Sequence, residues 1–204
     1  MATRCTRCPR GAGWRKRIHA AALGIGVLLL SAHPAAADDA LWKMLHGGGQ
    51  VVLLRHASTV AGLGDPPGFR LDDCATQRNL SDAGRAEARR IGEAFRRRAL
   101  PVSRVLSSRW CRCLDTARLA FGSVKPWPAL DSFFDDRSRE PEQTRAVRER
   151  ASQPLTRGNL ILVTHQVNIT ALTGLVPSQG EMVMLTPRDG GFTVAGRFNP
   201  AAGW

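Results

Sequence analysis

The sequence contains no tyrosine, and beyond residue 37 its only lysines are Lys43 and Lys125, so arginine supplies almost all of the positive charge. A nucleic-acid-binding protein would be expected to gather its cations in a stripe interleaved with stacking aromatic side chains. The arginines here are dispersed along the chain instead. The composition therefore argues against a nucleic-acid partner and favours a surface suited to a small anionic substrate.

Residues 1–37 differ in composition from the rest of the chain. They contain basic side chains and no acid, then an apolar segment over residues 20–30, and finally Ala35-Ala36-Ala37. This pattern predicts a secretory signal peptide that is cut after Ala37, with a periplasmic or secreted product. The apolar segment is shorter than the roughly 20 residues of a transmembrane helix, so we expect no stable membrane insertion after cleavage. An uncleaved anchor, or a translation start assigned too far upstream, is the alternative.

Removal of the leader changes the size and charge of the chain. The 204 residues include 29 basic and 17 acidic side chains, a formal charge of +12. Six of the cations and none of the acids lie in the leader, which leaves +6 on the 167 residues that follow. That length is sufficient for one domain with its own core, which we place at residues 38–204. The sequence predicts no particular oligomeric state.

Three cysteines follow the leader, namely Cys74, Cys111 and Cys113. An oxidising compartment permits one disulfide among them and leaves one free thiol. Our hypothesis is a bridge from Cys74 to Cys111 or Cys113, and the alternative is three buried thiols. A zinc site on Cys111-x-Cys113 is disfavoured, because the spacing is unusual and no histidine is near. We predict no metal and no cofactor.

Apolar runs alternate with segments of helical character along the mature chain. Strands are predicted at residues 51–54, 102–106 and 159–164, and a hairpin is predicted from strands at 182–186 and 192–198 around Asp189-Gly190-Gly191. Helices are expected at 41–45, 82–98, 110–121, 140–151 and 166–172, while 126–128 is expected to be irregular. This order predicts a three-layer α/β/α domain with a mainly parallel central sheet.

Two local features refine this prediction. Ser81 suits the N-cap of the second helix, whose apolar face is expected to include Ala83, Ala86 and Ile91. Residues 57–79 form a long segment rich in glycine, proline and aspartate. A loop of that length in a compact domain is usually functional or disordered.

Histidine and arginine recur at the ends of the predicted strands. Arg55-His56 ends the first strand, Arg112 lies one turn into the helix after the second strand, and His165 ends the third. If these strands are parallel neighbours, the four side chains meet at the carboxyl edge of the sheet, where α/β proteins bind ligands. Arginine binds phosphoryl oxygens, one imidazole can attack phosphorus, and a second can stabilise the developing charge. The set favours phosphoryl transfer.

Four motifs in this order resemble those of the histidine phosphatase superfamily, in its phosphoglycerate-mutase-like branch, over roughly residues 50–175. They are Leu53-Leu54-Arg55-His56-Ala57, Leu80-Ser81-x-x-Gly84-x-x-Glu87-Ala88, Ser108-x-x-x-Arg112-x-x-x-Thr116-Ala117 and Val163-Thr164-His165. The resemblance implies a phosphoglycerate-mutase-like fold in which His56 becomes phosphohistidine. It also implies that Arg55, Arg112 and His165 hold the phosphoryl oxygens.

The chain departs from the family pattern at three places. Ala57 and Gln166 stand where the family usually has glycine, and the family's acidic residue falls on Ser132. We choose Asp135 as the general acid, with Asp131 and Asp136 as the neighbouring candidates and a solvated acidic loop as the alternative. Substrate contacts are expected from Arg78 and Gln166, with Asn168 an alternative amide donor. Arg70 and Gln77 could also contact a substrate anion, although these two and Arg78 could equally be solvated loop residues, and the two amides could instead cap the following helix.

The resemblance implies an exported, metal-independent phosphatase that hydrolyses a small phosphomonoester or a phosphohistidine through an intermediate on His56. Relatives of this kind act on envelope phosphosugars or on phosphohistidine proteins. A missing acid would favour substrates whose leaving group needs little protonation. The alternative is a non-catalytic protein that binds phosphate or a phosphosugar in the same pocket.

Overall fold

The computed structural model describes residues 34–202, which contain six strands and five α-helices. The predicted signal peptide, apart from residues 34–37, lies outside these residues. The helices are α1 (Pro34–Gly47), α2 (Asp82–Arg97), α3 (Cys111–Phe121), α4 (Glu140–Ser152) and α5 (Gln166–Thr173). The strands are β1 (Val51–Arg55), β2 (Val102–Ser107), β3 (Lys125–Pro126), β4 (Asn159–Thr164), β5 (Met182–Arg188) and β6 (Gly191–Phe198).

The strands form one sheet in the order β3-β2-β4-β1-β5-β6. Strands β3, β2, β4 and β1 pair in parallel, and β5 and β6 continue the sheet antiparallel. The mixed, mainly parallel α/β fold is confirmed. The segment predicted to be irregular contains the two-residue strand β3, followed by a 3-10 turn at Pro128–Leu130.

Side chains of the central strands alternate between two apolar layers. Val52 and Leu54 face a cluster that includes residues of α1, α2 and α3, whereas Val51 and Leu53 face a cluster built with α4 and α5. The two-residue period of a strand sends consecutive side chains to opposite faces, so a run of four buried aliphatic residues reports a strand covered on both sides. The sheet therefore lies between two helical layers.

Two predicted helices differ from the structure in detail. Ser81 caps α2 through its side chain, which accepts from the Gly84 backbone N–H, as expected. The buried face of α2, however, includes Gly84 and Glu87, whereas the predicted Ala83 is exposed and the predicted Ala86 is half-buried. Glycine is buried there because backbone approaches it, which an apolarity pattern does not report. The first helix extends well upstream of the predicted 41–45, through an alanine-rich stretch that favours helix.

Candidate active site

The carboxyl ends of β1, β4 and β2 lie side by side. Arg55 pairs with Thr164 across β1 and β4, and Ser107 pairs with Val163 across β2 and β4. The backbone N–H of His56 continues the ladder by donating to the Thr164 carbonyl at 3.0 Å. The residues that follow these strands therefore start from one edge of the sheet, as the strand-end pattern predicts.

His56 is almost fully buried at this edge. Its Nδ1 lies 2.9 Å from the carbonyl oxygen of Ala57. Because a carbonyl only accepts, Nδ1 carries the proton and Nε2 keeps its lone pair. Burial lowers the pKa of His56 to about 3, the positive charge of Arg112 acts in the same direction, and the Ala57 bond opposes them. The side chain is thus a neutral imidazole with a basic Nε2 at neutral pH.

His165 lies beside it, with the two ring centroids 5.5 Å apart. Its Nε2 is 2.8 Å from the Ser108 hydroxyl, and its Nδ1 is 3.5 Å from a terminal nitrogen of Arg112. Since the guanidinium only donates, this geometry assigns the proton to Nε2. Burial first, and then the nearby positive charge of Arg112, place the pKa of His165 well below its ordinary value.

Arg112 is bound by a carboxylate that sequence reasoning missed. Its Nη1 donates to Asp65 at 2.8 and 3.0 Å, and the two side chains are only 5% and 3% exposed. Asp65 also accepts from the Trp110 indole at 2.9 Å and from the Arg78 backbone N–H at 2.9 Å. Burial raises the pKa of Asp65, but the hydrogen bonds and charge of Arg112 outweigh it and hold the pKa below 3.8.

Two further arginines complete the cationic wall. Arg55 donates to the Pro177 carbonyl at 2.8 Å, and Arg78 donates to the Gly64 carbonyl at 2.7 Å and to the Thr59 hydroxyl. The Nε atoms of Arg55 and Arg112 are buried without a hydrogen-bond partner. Burial, and then repulsion from the other two arginines, lowers the pKa of Arg55. Crowded cations with unused donors suit an anionic ligand.

These side chains enclose a cavity of about 80 Å³. It is large enough for several water-sized atoms, and therefore for a phosphoryl group and little more. The predicted site residues Arg55, His56, Arg78, Arg112, Asp135, His165 and Gln166 all line it, together with Leu63, Gly64, Asp65, Ser132, Phe134 and Val167.

Residues 51–140 match the family described as histidine phosphatase superfamily (branch 1), and this match includes His56, Arg55 and Arg112. Over this stretch the chain therefore has the sequence pattern of the histidine phosphatase superfamily. Among curated proteins, no sequence matches the chain. Solved structures do match the chain, with low sequence identity, and the likeness is one of fold alone.

Three of these structures illustrate the similarity. The Escherichia coli protein assigned as an alpha-ribazole-5'-P phosphatase has a TM-score of 0.57 at 17% identity, over 77% of this chain and 100% of its own. A phosphoserine phosphatase of Entamoeba histolytica has a TM-score of 0.54 at 12% identity, over 74% and 98%. The mycobacterial glucosyl-3-phosphoglycerate phosphatase has a TM-score of 0.53 at 19% identity, over 72% and 97%.

The structure accommodates an alanine after His56 without strain. Ala57 has no left-handed backbone angle and is buried in a small cluster with Leu80 and Ala88. Its backbone N–H donates to the Thr116 hydroxyl at 3.0 Å, and that hydroxyl donates to the Arg112 carbonyl at 2.7 Å. The methyl group therefore fills apolar space, and the threonine of the arginine motif links the two motifs.

The motif at the start of α2 supports the same loop. The Glu87 carboxylate accepts from the backbone N–H and hydroxyl of Ser58 at 2.8 and 2.9 Å. A Cβ added to Gly84 would lie 1.7 Å from the Ser58 carbonyl oxygen. Glycine is thus required there by the close approach of the loop that follows His56.

The candidate acids occupy different surroundings. Asp131 is fully buried and accepts from Arg109, at 2.8 Å from Nε and 2.6 Å from Nη2, so Arg109 holds an internal carboxylate. Asp136 caps the 3-10 turn at Arg137–Arg139. Asp135 lines the cavity mouth with an exposed carboxylate, and Ser132 lines it at the family's acidic position.

The two candidate amides are separated by the structure. Gln166 lines the cavity, whereas Asn168 lies outside the cavity lining and donates to the Asp131 carbonyl at 2.9 Å. Arg70 and Gln77, the alternative substrate contacts, also lie outside the lining: Arg70 pairs with Asp73, and Gln77 bonds within its own loop. Residues 34–202 hold no group of three or more metal-ligating side chains.

A disulfide joins Cys74 of the 57–79 loop to Cys111, the first residue of α3. The backbone N–H of Cys111 also donates to the Gln77 side chain at 3.0 Å, so the loop and helix are joined twice. Cys113 is a free thiol. Burial raises its pKa to about 12, which makes it unreactive.

Proposed function

We propose that this protein is an exported phosphatase that hydrolyses a phosphomonoester, or a phosphohistidine, through a phosphohistidine on His56. The observation that carries the proposal is the neutral imidazole of His56, whose proton is fixed on Nδ1 while Nε2 remains free in a cavity lined by Arg55, Arg78 and Arg112. A purely binding site would need the arginines but not an oriented nucleophile.

In the first step, His56 Nε2 attacks phosphorus, the P–N bond forms, and the bond to the leaving oxygen or nitrogen breaks with its electron pair. The unused guanidinium donors of Arg55 and Arg112 match the oxygens of the transferring group. A bound dianion also favours protonation of His165 Nδ1, which would give that ring a donor toward the phosphoryl group. Water then attacks the phosphohistidine, and phosphate leaves.

Leaving-group protonation is the weaker part of the site. Asp65 is held by Arg112, Asp131 is held by Arg109, and Ser132 stands at the family's acidic position. Asp135, at the mouth, differs from Asp65 and Asp131: it lines the cavity and has no ion pair among residues 34–202. We therefore expect fast turnover of substrates whose leaving group departs with little protonation, and Asp135 remains our candidate acid for the others.

The test is hydrolysis of 4-nitrophenyl phosphate from pH 5 to 8, by wild type, His56→Ala and the matched control His46→Ala. His46 is exposed on α1, so its loss should leave the rate unchanged. We expect His56→Ala to lose at least a thousandfold in kcat. Rapid quenching with ³²P-labelled substrate should trap acid-labile label on wild type and none on His56→Ala. Equal rates for wild type and His56→Ala would refute the proposal. A rate that survives chelating agents would support metal independence.

The second candidate is a non-catalytic phosphate- or phosphosugar-binding protein, and the absence of a buried, unpaired acid among the cavity-lining residues favours it. Calorimetric titration with inorganic phosphate separates the two. Binding that occurs without any turnover of the aryl ester would establish the binding protein.

Export is a separate part of the proposal, supported by the leader composition and by a disulfide suited to an oxidising compartment. No helix within residues 34–202 is long and apolar enough to cross a bilayer. Intact mass of the protein recovered from a periplasmic or culture fraction should correspond to a chain that begins at Asp38. Recovery of the whole chain in the cytoplasmic fraction would contradict export.

A further inference from the structure

The mouth of the cavity is apolar, although its floor is cationic. Leu63 is 86% exposed and Phe134 is 44% exposed, and both line the cavity together with Val167. Exposed side chains of this size normally stand singly on a soluble protein, and their convergence around a binding cavity marks a contact surface. We call Leu63, Phe134 and Val167 the apolar rim.

Two loops and the start of α5 contribute to the rim, since Leu63 and Phe134 lie in loops and Val167 is the second residue of α5. Leu63 lies between Gly62 and Gly64, both of which have positive φ angles, so the chain makes a tight turn that projects this leucine. A Cβ on Gly64 would lie 3.7 Å from the Phe134 ring. Gly64 of the 57–79 loop therefore lies close to the Phe134 side chain, and both residues line the same cavity as Leu63 and Val167.

The charges of the floor match one phosphoryl group and nothing more. Arg55, Arg78 and Arg112 contribute three positive charges, Asp65 removes one, and both histidines are neutral. The remainder of two positive charges balances the near-dianion of a phosphomonoester. No cation lines the cavity at the rim, where Asp135 instead places a carboxylate. A second anion on the leaving group would meet that carboxylate.

The cavity volume decides where the leaving group must lie. A phosphoryl group takes up much of the roughly 80 Å³ beside the arginines, so we expect the group attached to it to extend toward the exposed side chains Leu63 and Phe134. A polyhydroxylated sugar would find few polar partners there, since the other lining residues at the mouth that could serve it are Ser132, Gln166 and Asp135. An aromatic ring would cover the exposed faces of Leu63 and Phe134 and remove them from water.

We propose that the apolar rim selects phosphomonoesters whose leaving group is aromatic and carries no second anion. This inference rests on the proposed phosphatase function and adds the substrate class. It is consistent with the weak acid machinery, because phenolic leaving groups are more acidic than aliphatic alcohols and depart with less help.

The first experiment separates apolar contact from leaving-group acidity. Phenyl phosphate and 2-naphthyl phosphate release phenols of similar acidity but different apolar area. We expect wild type to prefer the naphthyl ester by about fivefold in kcat/KM, mainly through KM. Leu63→Ala and Phe134→Ala should each bring the ratio close to one. The matched control Val194→Ala removes an exposed side chain on β6, away from the cavity lining, and should keep the fivefold ratio.

The second experiment tests the charge at the rim. A carboxylate on the ring makes 4-carboxyphenyl phosphate the better leaving group, yet we expect its kcat/KM to be about threefold below that of phenyl phosphate. Asp135→Asn should remove this deficit, so the ratio of the two kcat/KM values should rise whatever the variant does to the phenyl rate itself. If Asp135→Asn instead slows phenyl phosphate and leaves the deficit, Asp135 acts as an acid and the charge argument is wrong.

The outcomes for the two proposals are distinct. Selection by the apolar rim would be refuted if wild type has equal kcat/KM for both neutral esters, or if the naphthyl preference persists in Leu63→Ala and Phe134→Ala. Either result would leave the proposed phosphatase function unaffected. If no ester is hydrolysed above the His56→Ala background, the proposed function fails. In that case calorimetric binding of 2-naphthyl phosphate against phenyl phosphate still tests the rim, and equal affinities would refute it.

Discussion

Two buried, neutral histidines should make the protein lose stability as the pH falls below 6.5. Burial lowers the pKa of His56 from 6.5 to about 3, and it lowers the pKa of His165 in the same direction. In the unfolded chain both imidazoles bind a proton below pH 6.5, whereas the folded state excludes it. The unfolded state therefore binds more protons, and the free energy of unfolding must rise with pH in this window.

The magnitude follows from the His56 shift. Each pH unit between the unfolded and folded pKa values contributes about 1.4 kcal/mol, so His56 alone should reduce stability by about 2 kcal/mol between pH 7 and pH 5. His165 adds a further loss of the same sign. The range above pH 5 is chosen because the lowered pKa of Asp65 keeps its carboxylate charged there.

The assay is urea unfolding of the disulfide-intact protein at several pH values between 5 and 7.5, without phosphate, because an anion in the cavity would favour the protonated imidazoles. His56→Gln should flatten the pH dependence by about 2 kcal/mol over this range. His46→Gln alters an exposed histidine and should leave the slope as in wild type. A slope in His56→Gln equal to that of wild type, or greater stability at pH 5 than at pH 7, would refute the reasoning.

Four further substitutions, one of them a control, test the contacts that support the cavity. Asp65→Asn leaves the charge of its buried partner Arg112 uncompensated. Urea unfolding at neutral pH should therefore show that the free energy of unfolding falls by about 3 kcal/mol. A fall of less than about 0.5 kcal/mol would contradict the buried ion pair. Gly84→Ala and Gly92→Ala both place a Cβ about 2 Å from a backbone carbonyl oxygen, at 1.7 and 2.1 Å, and each should cost at least about 2 kcal/mol. Only Gly84→Ala should also lower kcat of the folded protein, because Gly84 packs against the loop that follows His56. Equal kcat values for Gly84→Ala and Gly92→Ala would argue against a link between this packing and activity. Cys74→Ser removes the disulfide to Cys111, which lies 37 residues away in sequence. In urea titrations without reductant, the free energy of unfolding should fall by about 3–4 kcal/mol relative to wild type, and reductant should abolish this difference.

The sequence predicts the central part of the site because its signals are local. A strand buried on both faces shows as consecutive aliphatic residues, and the polar residue after it must lie at the sheet edge. His56 and His165 follow such strands, and the parallel register of β1 and β4 brings them to one cavity. Ser81 is equally local, since a cap is specified by the residue and its helix.

The rest of the site depends on contacts between distant segments. Asp65 binds Arg112 and Trp110 across a separation of more than 40 residues, and nothing around Asp65 in sequence indicates a partner. Asp131 is a comparable case, because a buried aspartate held by Arg109 looks in sequence like any acidic loop residue. Gly84 could have been noted, since the family motif contains it, but only the 1.7 Å approach of the Ser58 carbonyl gives the reason.

The 57–79 loop contributes to both the floor and the rim of the cavity, so the two proposed roles of the cavity should depend on it together. Leu63 on the rim and Asp65 on the floor are two residues apart, and Asp65 is fixed by α3 through Arg112 and Trp110. The Cys74–Cys111 bridge fixes the same loop to the first turn of that helix. Any change that releases the loop must therefore free Arg112 from its carboxylate and displace the apolar contact together. Reduction of the disulfide should consequently alter phosphate affinity and the naphthyl preference in parallel, whereas a rim substitution such as Leu63→Ala should alter the preference alone.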